Sequence, residues 1–154
     1  MAWDYEYSPH LQTLWGTHTQ WLPYHGTTCT ESKTVTVTHP DDTKSRHTFG
    51  IRYHDNDGRQ LKVETLEADD TVVRTETNIY MTEAEAATQP FHGVYGLVMG
   101  GHVLDPASAR IRPVTHRTIQ QDGVDFLWQA NSFDTYARPQ SVTRSSTLPG
   151  NPTR

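Results

Sequence analysis

Strand-length runs in which apolar and polar residues alternate, each closed by a turn of hairpin size, repeat through this chain and commit it to antiparallel β-structure. The opening run, residues 14–26, reads L-W-G-T-H-T-Q-W-L-P-Y-H-G. Alternation sends Trp15, Thr17, Thr19 and Trp21 to one side and Gly16, His18, Gln20 and Leu22 to the other, ahead of a Pro/Gly turn. A shift of one residue exchanges the two sides, so the inward one stays open. Over residues 29–39, Val35 and Val37 alternate with threonines, and Pro40, Asp41 and Asp42 supply turn chemistry. Over residues 45–54, His47, Phe49, Ile51 and Tyr53 share one face, and Thr48, Gly50, Arg52 and His54 the other. Asp55-Asn56-Asp57-Gly58 reads as a hairpin turn, because Asn and Gly accept the positive φ of a type I′ turn, and residues 59–67 return antiparallel.

Asp69 and Asp70 turn the chain into a strand over residues 71–81. There Val73, Ile79 and intervening threonines oppose Val72, Arg74, Glu76, Asn78 and Tyr80, and so polar a row is expected to be the solvated one. Thr82 with Glu85 forms a capping box before an alanine-rich stretch, which predicts one short helix over residues 83–88 that stops ahead of Pro90. Residues 91–104 set Phe91, Gly93, Tyr95, Leu97 and Met99 against His92, Val94, Gly96, Val98 and Gly100, a strand whose glycines predict a bend. Strands over 110–120 and 124–130 flank the turn Gln121-Asp122-Gly123, with Val124, Phe126 and Trp128 on one side. From Arg138 the chain is polar and rich in Pro, Ser and Thr. About eight strands without long helical crossovers predict an all-β fold, an antiparallel up-and-down barrel with one short helix. A single domain is expected over residues 1–144, with a flexible tail over residues 145–154.

Composition narrows the function classes. At 154 residues the chain fits one domain, and its 34% hydrophobic content suits a sheet in which only alternate residues must be apolar. A net charge of −5 offers no footprint for a phosphate backbone, so nucleic acid is not an expected partner. No apolar run approaches bilayer length and the first residues lack signal-peptide character, so the expectation is a cytoplasmic protein without a membrane partner. The one cysteine, Cys29, has no second cysteine for a disulfide and no cationic neighbour in sequence to activate it.

The segment G-T-H-T-Q-W-L-P-Y-H-G, residues 16–26, resembles the first strand of lipocalin-like (calycin) barrels, in particular a bacterial family of uncharacterised lipocalin-like proteins opening approximately G-T-x-T-x-Y-x-P-x-G. I-R-Y-H-D-N-D-G-R, residues 51–59, resembles the Y-x-x-x-D-G-R hairpin of that family. The likeness covers the first third of the chain. Lipocalins proper carry G-x-W, whereas Trp15 here directly precedes Gly16. The resemblance implies a barrel that binds hydrophobic small molecules, and some relatives have become biosynthetic cyclases or isomerases.

Nine histidines exceed ordinary usage, but none shows the spacing that places two imidazoles on one strand face or on one helical turn, so no metal site is assigned. His18, His47 and Tyr53 are the candidate catalytic residues, because a neutral imidazole exchanges protons near pH 7 and a tyrosine hydroxyl polarises a carbonyl in a dry pocket. Trp15, Gln20, Phe49, Ile51, Tyr80, Tyr95, Leu97, Met99, Phe126 and Trp128 are the candidate ligand-binding residues, on the strength of alternation. The leading expectation is cofactor-independent cyclisation or isomerisation of a hydrophobic or aromatic biosynthetic intermediate, promoted by orientation within an aromatic pocket. A non-catalytic carrier and a His-ligated heme or metal barrel are the alternatives. Association as a homodimer is left open.

Overall fold

The computed structural model describes residues 3–7, 32–51, 56, 58–92 and 111–148. These form strands β1 (Asp4–Tyr7), β2 (Ser32–Thr38), β3 (Lys44–Gly50), β4 (Gln60–Leu66) and β5 (Val72–Tyr80), helix α1 (Glu83–Ala87), and strands β6 (Val114–Gln121), β7 (Val124–Phe133) and β8 (Pro139–Ser146). All eight strands join one sheet in chain order, each antiparallel to its neighbours. The expected all-β meander of eight strands with one short helix is therefore present. Among the described residues the sheet does not close into a barrel: β1 and β8 stand at opposite ends of the order and do not pair with one another.

The membership of the eight also differs from expectation. The strands anticipated around residues 14–22 and 91–104 fall almost wholly outside the described residues, and β1 and β8 take their places in the count. β1 comes from W-D-Y-E-Y, whose period-2 signal is clear but very short. β8 comes from the Pro/Ser/Thr-rich segment and runs through Ser145 and Ser146, beyond the expected domain limit at residue 144. Pro139 is compatible with a strand here because it is the first residue of an edge strand, where a missing N–H breaks no interior ladder bond. Thr147 fastens the end, its N–H donating to the Asp125 carbonyl at 3.0 Å and its Oγ1 accepting from the Asp125 N–H at 2.9 Å.

Three hairpins share one loop design. In loops 39–43, 67–71 and 134–138 the first residue accepts from the fourth N–H and donates to the fifth carbonyl, as in His39, Asp42 and Thr43, at 3.0 and 2.8 Å. The fourth residue has positive φ in each case, 68° at Asp42, 68° at Asp70 and 60° at Ala137, the signature of a type I turn followed by a bulge. An aspartate stabilises every copy. Asp41 Oδ1 accepts from Thr43 Oγ1 (2.7 Å) and N (3.2 Å), Asp69 Oδ1 from Thr71 N (2.9 Å), and Asp134 Oδ1 from the N–H groups of Tyr136 and Arg138, both 2.9 Å. The β6–β7 hairpin instead uses Asp122 (φ 52°) and Gly123 (φ 73°), the pair of positive φ values a type I′ turn requires.

The expected capping box starts α1: Glu85 N–H donates to Thr82 Oγ1 at 3.2 Å while Glu85 Oε2 accepts from Thr82 N at 2.8 Å. Met81 N–H donates to the Pro113 carbonyl at 2.8 Å, tying the helix entry to β6. After the helix, Phe91 meets Phe133 edge to face at 6.0 Å and His92 N–H donates to the Thr135 carbonyl, which seats the chain on the β7–β8 hairpin. Leu66, Met81, Ala86, Ala130 and Ala137 are the buried apolar residues among those described, with Glu64 and Asn78 buried beside them.

Candidate functional site

Residues opposite one another in an antiparallel pair project to the same face, so the register assigns every described strand residue to a side. One row reads Tyr7, Val35, His47, Val63, Glu76, Ile119, Phe126, Ser146 from β1 to β8. Two residues along β5, the same face continues Asn78, Arg117, Trp128, Arg144. The opposite face carries Glu6, Thr36, Arg46, Glu64, Thr75, Gln120 and Asp125.

Four of the expected site residues, His47, Phe49, Phe126 and Trp128, thus share a face, and His47 and Phe49 are near-parallel rings 6.3 Å apart. Ile51 follows the end of β3 and is half-buried. Tyr80 closes β5 just beyond a register shift and points its hydroxyl at the Gln60 carbonyl, 3.1 Å away. His18, Tyr53, Trp15, Gln20, Tyr95, Leu97 and Met99 lie outside the described residues.

Hydrogen bonds link this face into one network. Gln60 Nε2 donates to His47 Nδ1 at 3.1 Å, which places the proton of the neutral imidazole on Nε2. The Gln60 carbonyl accepts from Asn78 Nδ2 at 3.2 Å as well as from Tyr80. Asn78 Oδ1 accepts from Arg117 Nε at 3.0 Å, and the same nitrogen lies 3.2 Å from Glu76 Oε1. Arg74 reaches the other Glu76 oxygen at 3.6 Å, and the Arg59 guanidinium sits 4.8 Å over the Tyr80 ring.

The polar row of β5 is solvated at its start, where Val72 and Arg74 are exposed, and is buried toward its end. Asn78 is 7% exposed whereas Ile79, on the other face, is 55% exposed. Burial of Asn78 is tolerated because both ends of its amide are bonded, and the charge of Glu76 is offset by two guanidiniums. Alternation within β6 and β7 places Arg117 with Ile119 and Trp128 with Phe126, so Arg117 was within reach of sequence reasoning. Gln60 was not, since a bulge in the β3–β4 pairing brings it opposite Phe49.

The other described histidines have local partners: His39 Nε2 lies 3.1 Å from Ser45 Oγ with Trp3 edge-on at 4.8 Å, His92 stands 4.8 Å from the Tyr136 ring, and His116 Nδ1 is 3.1 Å from Thr115 Oγ1. Among the described residues, no group of three or more His, Cys, Asp or Glu side chains is placed to hold a metal ion, and no helix is long and apolar enough to cross a membrane. No protein-family model, curated protein or solved structure matches the chain.

Proposed function

We propose that this chain is a lipocalin-like barrel protein that binds a small hydrophobic or aromatic molecule on its His47 face. The observation that supports this reading is the row joining His47, Phe49, Ile119, Phe126 and Trp128 to a hydrogen-bonded set of polar side chains on one side of a single sheet. Aromatic surface with a few fixed polar groups is the usual make-up of a ligand site. His47 offers an Nε2–H to an acceptor on the ligand, a carbonyl for example. With Nδ1 accepting from Gln60, donation from Nε2 is the role assigned to His47 in this reading. Binding comes first in this reading, and cofactor-independent cyclisation or isomerisation of the bound molecule follows from the shape in which the face holds it.

Titration with the neutral fluorophore Nile red tests the site. Saturable binding that weakens about tenfold in Trp128→Ala and in Phe49→Ala, a loss of about 1.4 kcal/mol, with an unchanged far-ultraviolet β-signature, is the expected result. Absence of saturable binding, or binding by both variants as tight as that of the native protein, overturns it. Small molecules that co-purify, incubated with protein and compared by mass spectrometry and chromatography, separate a carrier, which returns them unchanged, from an isomerase.

A further inference from the structure

Over β5–β8 the positive charges are sorted. Arg74, Arg117 and Arg144 all fall on the His47 face, whereas the paired residues of the other face on these strands include Asp125 and neither lysine nor arginine. One carboxylate, Glu76, answers these three guanidiniums, bonding Arg74 and Arg117. Arg144 has no ion pair or hydrogen bond among the described residues. Among the described residues, two positive charges are left in excess on this part of one face, in a chain whose net charge is −5.

Arg117 is held through Nε by Asn78 and Glu76, which fixes the guanidinium plane and leaves its terminal nitrogens to present a planar fork. Trp128 stands between Arg117 and Arg144 in the register, each a directly opposed cross-strand neighbour. Such neighbours have Cβ atoms about 4.5–5.5 Å apart. An indole whose two cross-strand neighbours are arginines suits an aromatic ring that carries an anionic group. Toward β1–β4 the same face turns apolar, with Tyr5, Tyr7, Val35, Val37, Phe49 and Val63 and one cation, Lys33. As a solvated arrangement the surface ion pairs would be worth little, and three cations around one carboxylate on a single face gain nothing without an anion to share.

We propose that the ligand of the His47 face is a small aromatic carboxylate, its carboxylate held at Arg117 and Arg144 across Trp128 and its apolar body lying toward β3. This rests on the binding reading above. The probes are 2-naphthoate and its neutral isostere 2-naphthamide, titrated calorimetrically into the whole protein at low salt and again at 0.5 M salt. The expected result is naphthoate binding at least about tenfold tighter than naphthamide, a preference that shrinks with salt and falls to near unity in Arg144→Gln. Arg144 is exposed and bonds to no described group, so this variant should fold normally. Equal binding of the two probes by the native protein overturns the carboxylate assignment while leaving the hydrophobic site standing. A preference that survives in Arg144→Gln overturns its placement. Failure of both probes and of Nile red overturns the underlying binding reading as well.

Discussion

Asn78 is the residue on which the polar face turns, since its amide joins Gln60 on β4 to Arg117 on β6. Asn78→Leu keeps the branched shape but strips both bonds, leaving the Arg117 Nε to Glu76 alone. A loss of about 1–3 kcal/mol is expected for such an unpaired buried network, to be read from the urea midpoint. The Gln60 carbonyl keeps its bond from the Tyr80 hydroxyl, so the Gln60–His47 pair should be left in place. Gly50 constrains the fold differently: a Cβ there would run into the backbone carbonyl and side chain of Asn56, at the turn that returns β3 into β4. Gly50→Ala should therefore cost about 1–3 kcal/mol, in the range of other overpacking changes. A stability equal to the native protein would show that the turn can shift aside. Leu66, 1% exposed, is the largest fully buried side chain described, and Leu66→Ala is expected to lose about 2–5 kcal/mol in the same assay.

The turn and cap elements carry the pH dependence. Side-chain and backbone hydrogen bonds from Thr43 hold the Asp41 carboxyl below its ordinary value, and those from Thr71 do the same for Asp69. Glu85 is lowered chiefly by the Thr82 backbone N–H, and Asp134 by the Arg138 backbone N–H. A carboxyl whose folded value is depressed favours the fold fully above its unfolded value, about 4, and loses that contribution as pH falls through the lowered one. The amide protons of Thr43, Thr71, Thr82 and Arg138 should accordingly stay fixed from pH 7 to 5 and shift together at lower pH in an NMR titration. Midpoints at or above the ordinary carboxylate value would contradict the bonding described. These elements were also the most legible in the sequence. Thr82 and Glu85 announced α1, Pro40-Asp41-Asp42 and Asp69-Asp70 announced their loops, and Val124, Phe126 and Trp128 were placed on one side as observed. What alternation within a strand cannot show is how strands meet. The bulge that delivers Gln60 to His47, the shift before Tyr80 and the burial of Asn78 at the far end of the polar row of β5 all depend on pairing between strands. The loop at Asp134 had no Pro or Gly to mark it, and β8 beyond it was hidden in a composition that resembles a tail.

At the scale of the molecule, the sheet is unevenly held. β4 and β5 lie between partners on both sides and contain Glu64, Leu66 and Asn78, while all four residues of β1 are exposed at one edge. Amide hydrogen exchange followed by mass spectrometry should be slowest in β4 and β5 and fastest in β1; protection of β1 equal to that of β5 would mean that its open edge is covered in solution. The order of the strands has a further outcome. Every described strand after the first pairs with the one that immediately precedes it along the chain. Among the described strands none depends on a later one beyond its immediate successor, so a nascent polypeptide can lay them down in order as it emerges. Until residues 139–146 leave the ribosome, the ladder groups that β7 later gives to β8 have no partner among the described strands.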